Sequence, residues 1–340
     1  MSLTPPVNRI LFYLYLAITL VVGVSALIWP SVRSFSYAPL RDVLFPNMFF
    51  PTQAGMPVTL TVAAPPALEE WLKTSASDFS RQNSLIQIVV TPVRGMEADR
   101  RLNSLSSQPD IWIAEADFVR LMAGSVPYET RGAALAQDTF VWVASKNQNS
   151  LTASLDWTAV SSAAKANSQF RIAMPPLNSV EGMAACWSAA ASYHKRKDPA
   201  AAQISDPAFR KWLNELVLAA PDRNKAPYDQ LATRPPQVDV GLIQHRELDQ
   251  LSQGSFFSQP PEYNPIFNYP FYIRSSWQNT QPDEAAARQN AAAKFRDYLL
   301  SAGPQGKLAA YNLQPARAQT AGQVPALDDP TVRALRFCWQ

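Results

Sequence analysis

Residues 59–72 read TLTVAAPPALEEWL. Val58 to Val62 carries the β-branched content of a strand. Pro65 and Pro66 then open a helix, where a missing N–H costs nothing. Leu68, Trp71, Leu72, Ala76 and Phe79 recur at helical spacing and give that helix one apolar face. Further along, Ile86–Val90 reads as a second strand. Gly95 and Met96 open a short helix through Leu102 and Leu105, and Asp110–Ile113 is a third strand. This β-α-β-α-β order predicts a parallel sheet with helices on its faces.

The same grammar continues downstream. Strands are predicted at Thr139–Val143, Phe170–Met174, Val238–Ile243 and Phe267–Ile273. Asn178-Ser179-Val180-Glu181 has capping-box spacing ahead of a small-residue helix reaching Tyr193. Ser205-Asp206-Pro207 caps another helix, with Phe209, Trp212, Leu213, Leu216 and Val217 on its apolar side. Pro282 opens a long helix that Gly303-Pro304 is expected to stop, and a last short helix carries Leu308, Ala309 and Tyr311. Trp71, Trp112, Trp142, Trp187 and Trp212 fall at apolar-periodic positions and are read as core, whereas Trp277 belongs near a cleft or the surface.

Upstream, Ile10–Trp29 (ILFYLYLAITLVVGVSALIW) is a run of twenty residues without a charge. At helical rise it covers about 30 Å, the hydrocarbon thickness of a bilayer. Tyr13, Tyr15 and Trp29 near its ends suit the interfacial belt. Val24-Ser25-Ala26 would serve as a cleavage site, but the apolar run is longer than a signal-peptide core, so an uncleaved anchor is expected. The expected organisation is a cytoplasmic N-terminus (1–9), a transmembrane anchor (10–29) and a lead-in (30–56) ahead of the folded part, with a C-terminal tail (317–340).

Composition removes other classes. With 340 residues, two lobes with real cores are affordable. A net charge of +3 is too balanced for a dedicated nucleic-acid binder. Charged residues make up 17%, against roughly 25% in a typical soluble chain, which suits a protein that meets a membrane or a partner. Two histidines far apart and two cysteines provide no HExxH pattern and no Cys-rich metal set, so no metal or cofactor is expected. GxGxxG, GxxxxGK[ST] and GxSxG are all missing, so nothing supports an enzyme. His194 sits in a basic helix end, where a cation complements the dipole. Cys186 and Cys338 could pair in an oxidising compartment, a matter that geometry decides.

Five segments in order resemble the type 2 periplasmic solute-binding protein family. They are TLTVAAPPALEEWL, SSQPDIWIAEAD (106–117), FRIAMPPLNSVEGMAAC (170–186), DVGLIQHREL (239–248) and the closing AAAKFRDYLLSAGPQGKLAAYNLQPA (291–316). The resemblance implies an α/β, two-lobed fold behind an N-terminal transmembrane helix, with lobe 1 at 57–138 plus 262–316 and lobe 2 at 139–261. It implies no enzymatic activity. The anchor, the domain and the tail from Val324 to Trp339 are also similar to a bacterial membrane-anchored form in which this domain precedes a von Willebrand factor A domain.

In such folds ligands lie outside the carboxyl ends of the strands. The positions implied here are Pro65 and Pro66, then Arg94, Gly95 and Met96, then Glu115, Asn178, Ser179 and Gln244. Oxyanion binders of the family place Ser or Thr in the first two loops, where this chain has Pro-Pro and Gly-Met; the return strand often delivers Tyr, where Gln244 stands. Asn178 and Ser179 can also be read as a helix cap, and Arg94 and Glu115 as solvated charges. Two functions follow. One is a membrane-anchored extracytoplasmic protein that binds a small molecule for transport or sensing, partnered by an ABC transporter permease or a von Willebrand factor A protein. The other is a structural or interaction subunit that keeps the fold without the ligand.

Overall fold

The computed structural model describes residues 56–339, apart from 97–101, 103–107, 125, 130–131, 147, 149–150, 152–153, 252–253, 278–279 and 317–326. The expected span Ile10–Trp29, the N-terminus before it and the lead-in through residue 55 lie outside the described residues, as does Leu105. Among the described residues, no helix is long and apolar enough to cross a membrane.

The chain opens with β1 (Val58–Ala64), a single 3-10 turn at Pro66–Leu68 and α1 (Glu69–Gln82). β2 (Ile86–Pro92), β3 (Ile111–Ile113), α2 (Val119–Met122), β4 (Ala133–Ala134) and β5 (Ala136–Ser145) follow. Then come α3 (Trp157–Ala166), β6 (Ile172–Ala173), α4 (Val180–His194), α5 (Ala201–Ile204), α6 (Pro207–Val217) and α7 (Pro227–Leu231). β7 (Val240–Gln244), α8 (His245–Leu248), β8 (Phe256–Gln259), β9 (Ile266–Phe267) and β10 (Pro270–Ile273) return toward the first sheet. The chain closes with α9 (Pro282–Leu299), α10 (Ala302–Lys307), β11 (Gln314–Pro315) and α11 (Asp329–Arg336).

Two sheets result. The first has the order β2-β1-β3-β10-β4, and the second β11-β5-β7-β6, with β8 and β9 also paired to β5. β1 runs parallel to β2, with Val58 opposite Ile86, and parallel to β3, with Val62 opposite Ile111. The parallel core expected from residues 58–113 is therefore present. The long strand β5 is antiparallel to β7, which is parallel to β6.

Burial explains the pairing. Leu60 and Val62 of β1 are buried, and α1 covers the sheet with Trp71, Leu72, Ala76 and Phe79. Phe79 packs on Phe295 of α9 with ring centroids 5.2 Å apart. Each such side chain contributes about 1.5–3 kcal/mol of transfer free energy. The indole N–H of Trp71 donates to Pro304 O at 3.1 Å, which locks α1 to α10. In the second sheet, Trp142 meets Trp157 edge-on at 4.9 Å, and the Asp156 carboxylate caps α3 by accepting from Ala159 N.

Three expectations are corrected. Phe267–Ile273 is not one strand: Tyr269 adopts φ +42° and divides it into β9, which pairs with β5, and β10, which pairs with β3 and β4. The break lets the chain leave one sheet for the other. Gly303-Pro304 does not stop the long helix. α9 ends at Leu299, Ser301 sits before α10, and Pro304 falls in the first turn of α10, where an N–H has no helical partner anyway. Trp212 is half-buried rather than core, stacked among Tyr193 and Phe209 at the surface. Trp277 donates its indole N–H to the buried Asp110, which also takes Thr61 N and Arg288.

Candidate ligand cleft

The strand ends of both sheets open into one cleft of about 500 Å³. Pro65 and Pro66 follow β1, Arg94, Gly95 and Met96 follow β2, and Glu115 follows β3. From the second sheet, Pro175 and Pro176 follow β6, and Gln244, Arg246 and Glu247 come from the end of β7 and from α8. Asn178, Ser179 and Glu181 come from the start of α4, and Phe140 and Tyr269 line the cleft from β5 and the β9–β10 break. Every position picked from the sequence therefore borders the same space. The volume lies in the range of small-molecule sites, about 300–1,000 Å³.

Their environments differ. Arg94, Pro66 and Asn178 are exposed, while Glu115 and Gln244 are buried at 5% and 4% exposure. Glu115 Oε1 accepts from Gly95 N at 2.7 Å, and Oε2 has no hydrogen-bond partner in the protein. Burial, with the nearby Glu181 charge second, pushes the Glu115 carboxyl from the ordinary 4.5 up to about 8. Gly95 gives its neighbours close approach. A Cβ there would strike Glu115 Oε2 and would come within 2.6 Å of Val180 Cγ2 across the cleft.

Ser179 is committed to the helix. Its hydroxyl donates to Pro176 O at 2.7 Å and accepts from Gly182 N at 2.9 Å, so the cap of α4 is Ser179 rather than Asn178. The expected box, in which Glu181 would bond back to Asn178, is not formed, and Glu181 faces the cleft. Gln244 Oε1 accepts from Arg246 Nε at 2.8 Å, and Gln244 N donates to Glu247 Oε2.

Sequence reasoning missed Glu181, Arg246, Glu247, Tyr269 and the residue beneath them, Asp138. Arg246 Nε stands 3.4 Å from Asp138 Oδ2, and its outer nitrogen 3.7 Å from Glu247 Oε1. Burial raises Asp138 to about 7 against the opposing pull of Arg246, and burial likewise raises Glu247. Tyr269 is fully buried and its hydroxyl has no hydrogen-bond partner in the protein. Burial raises that phenol well above 10, with Asp138, Glu181 and Glu115 adding to the rise. Arg246 and Glu247 directly follow the predicted return strand, so the strand-end rule reached their neighbour only. Tyr269 carries no local signal, because its place depends on the left-handed turn between sheets.

Among the described residues no group of acids, histidines or cysteines is arranged to hold a metal ion. Cys186 on α4 and Cys338 after α11 form a disulfide, with Cα atoms 6.5 Å apart.

A family profile described as bacterial extracellular solute-binding protein matches residues 60–311. The fold is similar to an ABC transporter structure from Clostridium perfringens at TM-score 0.59 and 17% identity, covering 82% of this chain and 97% of that one. It is similar to the ferric binding protein from Campylobacter jejuni at TM-score 0.58 and 14% identity, covering 83% and 96%. It is also similar to the sulfate-binding protein of Mycobacterium tuberculosis at TM-score 0.52 and 16% identity, covering 76% and 87%. A search of curated proteins found no match.

Proposed function

This chain belongs to the bacterial extracellular solute-binding protein family, and we propose that its cleft captures a small solute outside the cytoplasm and presents it to a membrane partner. The observation that supports this reading is the convergence of both sheets' strand ends on one cleft that holds two buried polar atoms without protein partners, Glu115 Oε2 and the Tyr269 hydroxyl. A chain that kept only the fold would gain nothing from that arrangement, since unpaired buried polar groups cost about 1–3 kcal/mol each. Solute-binding halves close on a ligand about their connecting strands. Residues 57–138 with 262–316 would form one half and 139–261 the other.

The finer parts of the reading rest on the sequence. Ile10–Trp29 would tether the domain to the outer face of the cytoplasmic membrane as a single-pass anchor. The partner would be an ABC transporter permease or, by the resemblance of the anchor and tail, a von Willebrand factor A protein. A disulfide suits an oxidising, extracytoplasmic compartment.

The test is thermal unfolding of the full chain in mild detergent, after reversible unfolding to remove carried ligand. Oxyanions, carboxylates, amino acids, polyamines and sugars form the panel. A ligand at 100 times its Kd adds about 2.7 kcal/mol to the native state. One class that raises the melting temperature supports solute capture. A flat response to all of them sinks it and favours an interaction subunit.

A further inference from the structure

Within that reading, the charges at the inner end of the cleft set the solute's chemistry. Arg246 is already engaged by Asp138, Glu247 and Gln244. Glu115 and Glu181 have no salt bridge among the described residues, and Glu181 is the charge that most disfavours ionised Glu115. Arg94 is exposed at the mouth. An inner end with two unpaired carboxyl groups is a poor home for an anion.

The usual anion device is weakened as well. A helix N-terminus attracts anions through free N–H groups and its dipole. At α4 the Ser179 hydroxyl takes Gly182 N, and Glu181 in the first turn supplies the negative charge. Pro65 and Pro66 bring no donors to the opposite loop.

An independent observation points to a ligand at the same place. Tyr269 is 0% exposed, lines the same cleft as Glu115 and leaves its hydroxyl without a protein partner, as Glu115 leaves Oε2. Its backbone is pinned there: Tyr269 N donates to Glu115 O at 3.3 Å, and Tyr269 O accepts from Leu135 N at 3.2 Å. Both oxygens can accept a hydrogen bond in a cleft that Glu181 also lines, which suits a group that brings positive charge and several N–H donors. Aliphatic ammonium and guanidinium heads have both properties.

We propose that the cleft takes a small organic cation, its ammonium or guanidinium head received by Glu115, Glu181 and the Tyr269 hydroxyl. The proposal deepens the solute-capture reading and rests on it. Stripped full chain in mild detergent is titrated with putrescine, agmatine, molybdate, sulfate, maltose and ferric citrate. Putrescine or agmatine is expected to bind and to raise the melting temperature. Glu115→Gln should weaken that binding by about tenfold or more, the weight of one charge-assisted hydrogen bond, while melting no lower than the parent without ligand. If E115Q folds poorly, Tyr269→Phe serves in its place, since it removes only the hydroxyl. Binding of an anion, ferric citrate or maltose without either cation overturns the cation assignment and leaves solute capture standing. Silence from all six overturns the cation assignment, and only silence from the amino acids and carboxylates of the wider panel as well overturns solute capture. Cation binding that neither variant weakens places the cation elsewhere and overturns the assignment of its receptors.

Discussion

Glu115 is held by one backbone donor, Gly95, while its second oxygen is buried without a protein partner. The sequence pointed to both residues, because finding them needs only the ends of two strands. Asp138 was not legible: its partner Arg246 lies 108 positions away in the chain and is brought in by β7. The raised carboxyl of Glu115 has a consequence for stability. Its value is about 8 in the folded chain and about 4.5 when ordinary, so the folded chain holds more protons than the unfolded one between those limits. Stability contributed at low pH is therefore lost as pH rises through that window, at up to about 1.4 kcal/mol per pH unit from one group. Asp138, raised from 3.8 to about 7, acts in the same direction. Glu115→Gln should flatten part of this decline, and ligand-free E115Q should melt higher than the parent near pH 8. Calorimetric melting temperatures across pH check it; parallel curves for the two proteins would show that Glu115 does not titrate in this range.

At the scale of elements, α4 positions the second wall of the cleft. Twelve of its fifteen residues are buried, and most of them are Ala, Ser or Gly, so neighbours approach on nearly every side. A Cβ at Gly182 would run into the backbone of Pro176 and Leu177. The small-residue run told of a closely packed helix, but not which elements surround it. Ala189 is fully buried, and Ala189→Leu should cost about 1–3 kcal/mol of stability by overpacking. Chemical denaturation would measure this, and a cost below about 0.5 kcal/mol would mean that the packing around α4 gives way. The elements misread from sequence share one cause. Tyr269 and Gly303-Pro304 were interpreted by local rules, whereas the first sits where the chain changes sheets and the second where a new helix starts. The three strands and the first helix of residues 58–113 read correctly because strand, helix and pairing there are all close in the chain.

On the scale of the whole molecule, the tail is the feature that local patterns could least reveal. α11 packs on α4 and α5 of the second half and touches α2 of the first, while Cys338 is bonded to Cys186 and Trp339 donates to Gly182 O at 3.1 Å. The two cysteines were visible in the sequence, but 152 positions separate them and only the fold brings them together. Gly95 after β2 lies close to Val180 at the start of α4, so the two walls of the cleft approach beside Glu115. A helix covalently tied to one proposed half and resting on the other would favour a closed arrangement. Opening must slide or break the α11–α2 contact, and the disulfide keeps α11 on α4 when it does. Replacing Cys338 by Ser should therefore have two effects. Stability should fall, by at most about 5 kcal/mol, the loop-closure contribution of so long a crosslink. The radius of gyration of the ligand-free protein should also rise, with ligand affinity weakened in proportion to the lost closed fraction. Small-angle scattering and titration on the same variant separate the two. A lower melting temperature with an unchanged radius and affinity would make the disulfide a staple of the second half alone, and the tail would then have no part in how the cleft closes.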